Sequence, residues 1–137
     1  MLSPLRRAAL LALPLLLSAC CSLGPSRPAA DGLLAHEVFF ELHDPSDENV
    51  AALIAGCERL RAIPEVLDLV AGARHPEMTR EVNQTDYHVG LHVLFEDREG
   101  LEAYIVHPVH QELLDRFGSW FASVRVFDYT TGLPSTE

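Results

Sequence analysis

Apolar residues recur along this chain with two different periods. Alternation at every second residue is typical of a half-buried strand, and recurrence at every third or fourth residue is typical of a helix with one buried face. Four segments show the strand pattern or are rich in strand-forming residues, and they cover residues 34–43, 66–74, 87–96 and 121–129.

A first helical stripe lies between the first two predicted strands. Asp44 or Ser46 is placed to act as its N-cap, and Pro64 should end it. The stripe consists of Val50, Leu53, Ile54, Cys57 and Leu60.

A second helical region lies between the third and fourth predicted strands. We expect Asp97 to cap a helix whose apolar members are Leu101, Tyr104 and Ile105. A further helical piece should run over residues 109–117.

The resulting order β-α-β-β-α-β predicts an α+β fold of the ferredoxin-like type, with a four-stranded antiparallel sheet. The first and third strands should be antiparallel neighbours at the centre, and both helices should cover one face.

Residue parity assigns the two faces of the central strands. The set expected beneath the helices is nearly all apolar: His36, Val38, Phe40, Leu42, Val89, Leu91, Val93 and Phe95. The opposite face is mixed and carries Glu37, Phe39, Glu41, His88, His92 and Leu94. A mixed, uncovered face favours a homodimer in which two sheets pack together and Glu–His pairs form inside the interface. A monomer with an amphipathic outer face is the alternative.

The first 19 residues have the features of a signal peptide of the lipoprotein type. Arg6 and Arg7 precede an apolar stretch over residues 8–17 that is short for a membrane span. The following "LSAC" resembles a bacterial lipobox, so we expect cleavage before Cys20 and lipidation of that cysteine. Ordinary secretion with cleavage near Ala19 is the alternative.

The predicted organisation after the signal peptide is a tether, one domain and a tail. Residues 20–32 are rich in Gly, Pro, Ser and Ala and predict a flexible tether, residues 33–130 a single domain, and residues 131–137 a disordered tail. These features place the domain in the bacterial cell envelope, lipid-anchored on the periplasmic side of the inner or outer membrane, or secreted if it is not lipidated.

The net charge of −10 disfavours nucleic-acid binding. Loss of residues 1–19 removes two arginines and no acids and leaves −12, so contact with the membrane should be through the lipid alone. Cys57 has no cysteine partner in the domain and is expected to be a small core residue. We expect no specific metal site, because His88 and His92 lie too far apart on a strand to share an ion. His107 and His110 straddle a proline in a turn and could bind an ion together, but this spacing is not specific for metal.

Three segments, "AHEVFFELHD", "LFEDREGLEAYIVHPVH" and "VRVFDY", together with the element order, resemble the stress-responsive A/B barrel (Dabb) family. The resemblance covers residues 34–130. It implies a small dimer whose two sheets form an α/β barrel, and a pocket between helices and sheet. Most members have no established activity, but a plant member, olivetolic acid cyclase, performs an aldol cyclisation without a cofactor.

The resemblance implies roles for three residues at the pocket. His110 and Tyr104 match the acid/base pair of the plant cyclase, and His36 matches a histidine that lines its pocket. The third-strand histidine of that cyclase aligns with Val89, and the neighbouring His88 should face away. Apolar residues expected to contact a ligand are Val38, Phe40, Val89, Leu91, Val93 and Phe121.

The histidines also have structural interpretations. His107 precedes a proline and should end a helix, and His110 is placed to cap backbone groups. Three functions therefore stay open: a module that binds a small apolar molecule, a cofactor-free cyclase, lyase or isomerase, and a purely structural dimerisation domain. Small residues of the first helix could leave room for a pocket: Ala51, Ala52, Ala55 and Gly56.

Overall fold

The computed structural model describes residues 32–132, and the predicted element order is confirmed. The segments assigned to the signal peptide, most of the tether and most of the tail lie outside the described residues, as does Cys20. The elements are β1 (Leu34–Leu42), α1 (Asp47–Glu58), β2 (Asp68–Ala73), β3 (Val89–Phe95), α2 (Arg98–Val106), α3 (Pro108–Phe117) and β4 (Phe121–Thr130).

The four strands form one antiparallel sheet in the order β2-β3-β1-β4. The central position of β1 and β3 confirms the prediction, and their register aligns Val38 with Leu91. Both β2 and β3 begin two residues later than the apolar pattern suggested.

The predicted faces of the central strands are confirmed. Every second residue from Val38 to Leu42 on β1 and from Val89 to Phe95 on β3 is buried in the core. The core also contains Leu53 and the free thiol of Cys57 from α1, so Cys57 is the small core residue that the sequence predicted. No helix within residues 32–132 is long and apolar enough to cross a membrane.

Local capping determines where the helices begin. Ser46 is the N-cap of α1 without a side-chain bond, whereas an Asp44 carboxylate oxygen accepts the Ser46 N–H at 3.1 Å. Asp97 caps α2 by accepting the Gly100 N–H at 2.9 Å, as predicted. Pro108 occupies the first turn of α3, where a missing N–H costs nothing.

The small residues of α1 do not provide the space that the sequence suggested. Ala51 and Ala55 are exposed, and Gly56 is buried against the ring of Phe117 on α3. The absence of a side chain at Gly56 lets α1 and α3 approach closely, so it contributes to helix packing and leaves no room for a ligand.

Candidate functional site

A cavity of about 340 Å³ opens between the α2–α3 segment and the β1–β4 half of the sheet. It exists because the β4 edge is not fully covered: Val124 and Val126 point to the helix side, yet 43% and 48% of their surface stays exposed. The lining residues are His36, Val38, Phe40, Leu91, Tyr104, Ile105, His110, Leu113, Leu114, Phe121, Val124 and Val126.

His110 reaches the cavity from the first turn of α3. Its Nδ1 lies 2.9 Å from the carbonyl oxygen of Ile105, which accepts the N–H of the corresponding tautomer. The imidazole ring packs 4.6 Å, centroid to centroid, from the ring of Tyr104. Because Nδ1 carries the proton in this arrangement, Nε2 has the free lone pair that a base requires.

Burial sets the protonation states of this pair. It lowers the pKa of His110 below its ordinary value, and it raises the pKa of the Tyr104 hydroxyl well above the usual range. His110 is therefore neutral and Tyr104 protonated at neutral pH. The Tyr104 hydroxyl has no hydrogen-bond partner within residues 32–132, so it is available to donate to a bound molecule.

His36 brings a third polar group to the cavity. Its Nδ1 lies 2.6 Å from a carboxylate oxygen of Asp128, which is directly across from His36 on β4. The His36 and Tyr104 rings are 6.0 Å apart. The carboxylate orients the His36 ring by accepting from Nδ1, much as an outer carboxylate orients a catalytic histidine.

The structure brings together most of the residues proposed from the sequence. Both acid/base candidates line the cavity, as do five of the expected ligand contacts, namely His36, Val38, Phe40, Leu91 and Phe121. Val89 and Val93 do not line it. They are fully buried in the core, where neighbouring side chains cover them.

Sequence reasoning missed one wall of the cavity. Val124, Val126 and Asp128 lie on the helix side of β4, whereas residue parity assigns faces only for the two central strands. The signal in the sequence was "VRVFD", in which Val124, Val126 and Asp128 share one face. The missed α-helical contacts are Ile105, Leu113 and Leu114.

Two other histidines hold backbone groups. The His88 Nδ1 accepts the Leu42 N–H at 2.9 Å, and the His107 Nδ1 accepts the Val109 N–H at 3.2 Å. Neither lines the cavity. Within the part of the chain that the structure describes, no three His, Cys, Asp or Glu side chains are grouped to hold a metal ion.

Comparison with solved structures finds the same fold in several proteins. A dimeric ferredoxin-like protein of unknown function from Thermobifida fusca is 20% identical, with a TM-score of 0.60 over 74% of this chain and 92% of that one. A Dabb family protein from Mesorhizobium loti is 23% identical, with a TM-score of 0.62 over 77% and 99%. Hydroxynitrile lyase from Passiflora edulis is 16% identical, with a TM-score of 0.63 over 77% and 99%.

The family assignment comes from a different comparison. No curated protein matches the chain significantly. However, the family model described as the stress responsive A/B barrel domain (Dabb) matches residues 34–131, which is most of the chain. The resemblance stated from the sequence is thereby confirmed, and the chain belongs to the stress responsive A/B barrel domain family.

Proposed function

We propose that this protein binds a small, mainly apolar molecule with one polar end in the cavity between α2–α3 and the sheet. The volume of about 340 Å³ falls within the range of about 300–1,000 Å³ usual for ligand pockets. Nine of the twelve lining residues are aliphatic side chains or phenylalanine. A cavity of this size between helices and sheet favours ligand binding over a purely structural role.

The observation that carries the proposal is the convergence of His36, Tyr104 and His110 on one region of an otherwise apolar cavity. The Tyr104 hydroxyl offers a donor, and the free nitrogen of His110 offers an acceptor. A ligand that places a carbonyl or hydroxyl group there would satisfy both. A fully apolar ligand would leave these groups without partners, which is costly in a desolvated site.

We further propose that the protein acts as a homodimer tethered to the bacterial cell envelope. Support for the dimer comes from the dimeric state of structurally similar proteins and from the exposed apolar groups of the outer sheet face. Support for lipidation at Cys20 comes from the sequence "LSAC" after an apolar stretch. Labelling of the expressed chain with radioactive palmitate tests this, and a Cys20→Ser variant that still incorporates label would contradict it.

Ligand binding is testable with 1-aminoanthracene, a neutral aromatic probe whose fluorescence rises in apolar cavities. Val126→Trp should fill the cavity and weaken probe binding at least about tenfold, because the probe loses most of its buried contact area. Val106→Trp is the matched control, since Val106 is 72% exposed and lies outside the cavity. Equal probe affinity in both variants would refute binding at this site. Native mass spectrometry of the chain purified from its own host would reveal a ligand that co-purifies.

A second candidate function is a cofactor-free lyase, cyclase or isomerase. The neutral His110 beside a protonated Tyr104 favours it, because this pair matches the needs of proton abstraction next to a carbonyl. The His110 Nε2 would take the proton from carbon, and the Tyr104 hydroxyl would donate to the oxygen that gains negative charge. Return of the proton to another carbon, or cleavage or formation of a C–C bond, would complete the reaction.

Exchange of carbon-bound hydrogen for deuterium in phenylacetone, followed by NMR, tests this second function. His110→Gln and Tyr104→Phe should each slow the exchange by about 100-fold or more if they act as base and donor. His43→Gln is the control, because His43 lies outside this cavity. If the wild-type chain does not accelerate exchange, or if all three variants match it, the enzymatic hypothesis fails while the binding proposal stands on the probe measurement.

A further inference from the structure

Two histidine rings line the same cavity, and they differ in the group that faces their Nδ1 atoms. The Tyr104 ring packs against both, at centroid distances of 6.0 Å from His36 and 4.6 Å from His110. The His36 Nδ1 has a carboxylate oxygen of Asp128 on β4 at 2.6 Å. A proton gained by His36 therefore has a counter-ion, whereas His110 has no carboxylate beside it.

The surroundings of His110 provide a carbonyl dipole in place of a counter-ion. The Ile105 carbonyl oxygen lies 2.9 Å from the His110 Nδ1 and also accepts an N–H of the Gln111 side chain at 2.7 Å. This dipole, in the last turn of α2, offsets only part of a full positive charge. No Asp, Glu or Arg is among the described residues that line the cavity. A proton on His110 therefore creates a half-buried charge without a counter-ion.

The other titratable groups nearby do not supply that counter-ion either. On α2, burial raises the pKa of the Tyr104 hydroxyl, and on α1 it raises the pKa of the Cys57 thiol, so both groups stay neutral. On β1, a charge on His36 would repel a second charge in the same cavity. On α3, Glu112 forms a two-pronged ion pair with Arg59.

A bound ligand raises the cost of charging His110. Water that enters through the uncovered β4 side solvates a protonated ring, whereas a mainly apolar ligand displaces that water and puts aliphatic groups in its place. Proton binding and ligand binding therefore oppose each other. The opposition is reciprocal, because the proton lowers the affinity for the ligand by the same factor as the ligand lowers the affinity for the proton.

We infer that acidification releases a neutral ligand from this cavity, and that protonation of His110 is the event that causes the release. The inference rests on the ligand-binding function proposed above and adds the regulation of that site. It also separates two classes of ligand. A carboxylate would supply the missing counter-ion and would bind more tightly as the ring gains its proton, so release by acid is specific to neutral compounds.

The direction and size of the effect follow from this linkage. Burial already lowers the pKa of His110 below its ordinary value of 6.5, so the ring is neutral and the affinity for a neutral ligand is constant above that pH. Below the pKa of the ligand-free protein, one proton must leave for each ligand that binds. The affinity should then fall by up to about tenfold for each unit of pH.

Fluorescence titration of the full chain with 1-aminoanthracene from pH 8 to pH 5 tests the inference, because the amine of this probe stays neutral over that range. The wild-type Kd should be constant from pH 8 to 7 and should rise at least about threefold by pH 5. In His110→Gln the Kd should not change with pH. His43→Gln is the matched control and should keep the wild-type dependence, since His43 lies outside the cavity. Circular dichroism verifies that each protein is folded at pH 5.

His36→Gln shows which ring is responsible, and it should keep most of the pH dependence. A dependence that is lost in His36→Gln but kept in His110→Gln would overturn the inference. So would a wild-type Kd that is the same at pH 8 and pH 5, although probe binding itself would then still support the proposed function. A wild-type chain that does not bind the probe even at pH 8 would contradict both.

NMR titration of the His110 ring protons provides the reciprocal measurement. Saturation of the wild-type chain with the probe should lower the pKa of His110 further, because the ligand excludes water from the ring. An unchanged pKa in the complex would show that ligand and proton do not compete, and the inference would fail.

Discussion

Gly56→Ala should destabilise this protein, although the same substitution in most helices is stabilising. A Cβ atom at position 56 would lie 2.4 Å from Cε2 of Phe117 and 3.1 Å from Cδ1 of Leu113. Both side chains belong to α3 and are buried, with Phe117 only 1% exposed, so neither can swing into solvent. The added methyl group must therefore push α1 and α3 apart or force the Phe117 ring off its preferred rotamer.

Two opposing terms set the magnitude. Replacing glycine by alanine inside a helix favours folding by about 1 kcal/mol. Overpacking a buried contact costs about 1–3 kcal/mol, and a separation as short as 2.4 Å calls for the upper part of that range. The net change should be a loss of about 1–2 kcal/mol in the free energy of unfolding.

Urea denaturation followed by circular dichroism measures this loss, with Gly100→Ala as the matched control. A Cβ at Gly100 would meet its nearest atoms at 3.6 Å, an ordinary contact, so that variant should be as stable as the wild type or up to about 1 kcal/mol more stable. All variants are compared at one protein concentration, because self-association would add to the apparent stability. If Gly56→Ala proves as stable as Gly100→Ala, the close packing of α1 on α3 is not as described.

Three further predictions concern single side chains. Because burial lowers the pKa of His110, the unfolded chain takes up a proton at higher pH than the folded chain, so the contribution of this group to stability is present above pH 6.5 and is lost as the pH falls through the folded pKa. Between pH 5 and 8 the urea midpoint should therefore depend less steeply on pH in His110→Gln than in the wild type. The same dependence on pH in both proteins would contradict this. Burial raises the pKa of the Cys57 thiol to about 12, so iodoacetamide should modify this thiol at least about 100-fold more slowly in the folded chain than in urea. Peptide mass mapping measures both rates, and equal rates would show that Cys57 is accessible. Asp97→Ala removes the N-cap of α2 and should lower the free energy of unfolding, measured by urea denaturation, by about 1 kcal/mol. Asp115→Ala, on the exposed side of α3, is the control and should change it by less than about 0.5 kcal/mol. Similar losses in both variants would argue against the cap.

The alternation of residues on β1 and β3 was sufficient to predict the centre of the sheet and both of its faces. Each of these strands contacts neighbours on both sides, so a one-residue slip would bury Glu37 and His92 and expose Val38 and Leu91. The capping role of Asp97 could also be predicted from the sequence, because its partner lies only three residues away.

The position of the cavity was harder to predict from the sequence, because it depends on which part of β4 the helices leave uncovered. Small side chains on α1 suggest space for a ligand, but the space beside Gly56 is filled by the ring of Phe117 on α3, 61 positions further along the chain. The pairing of His36 with Asp128, 92 positions apart, likewise depends on the register between β1 and β4. Sequence periodicity carries no information about such long-range contacts between elements.

The sequence by itself determined the order of the elements, the two faces of the central strands and the family, because these follow from local propensity, side-chain alternation and recognisable segments. Only the tertiary structure decided that His36, Tyr104 and His110 share one cavity while Val89 and Val93 belong to the core. The physical reason is that burial and protonation depend on atoms brought together from distant parts of the chain. The His110 imidazole is neutral because α2, α3 and β1 exclude water from its ring, which lowers its pKa.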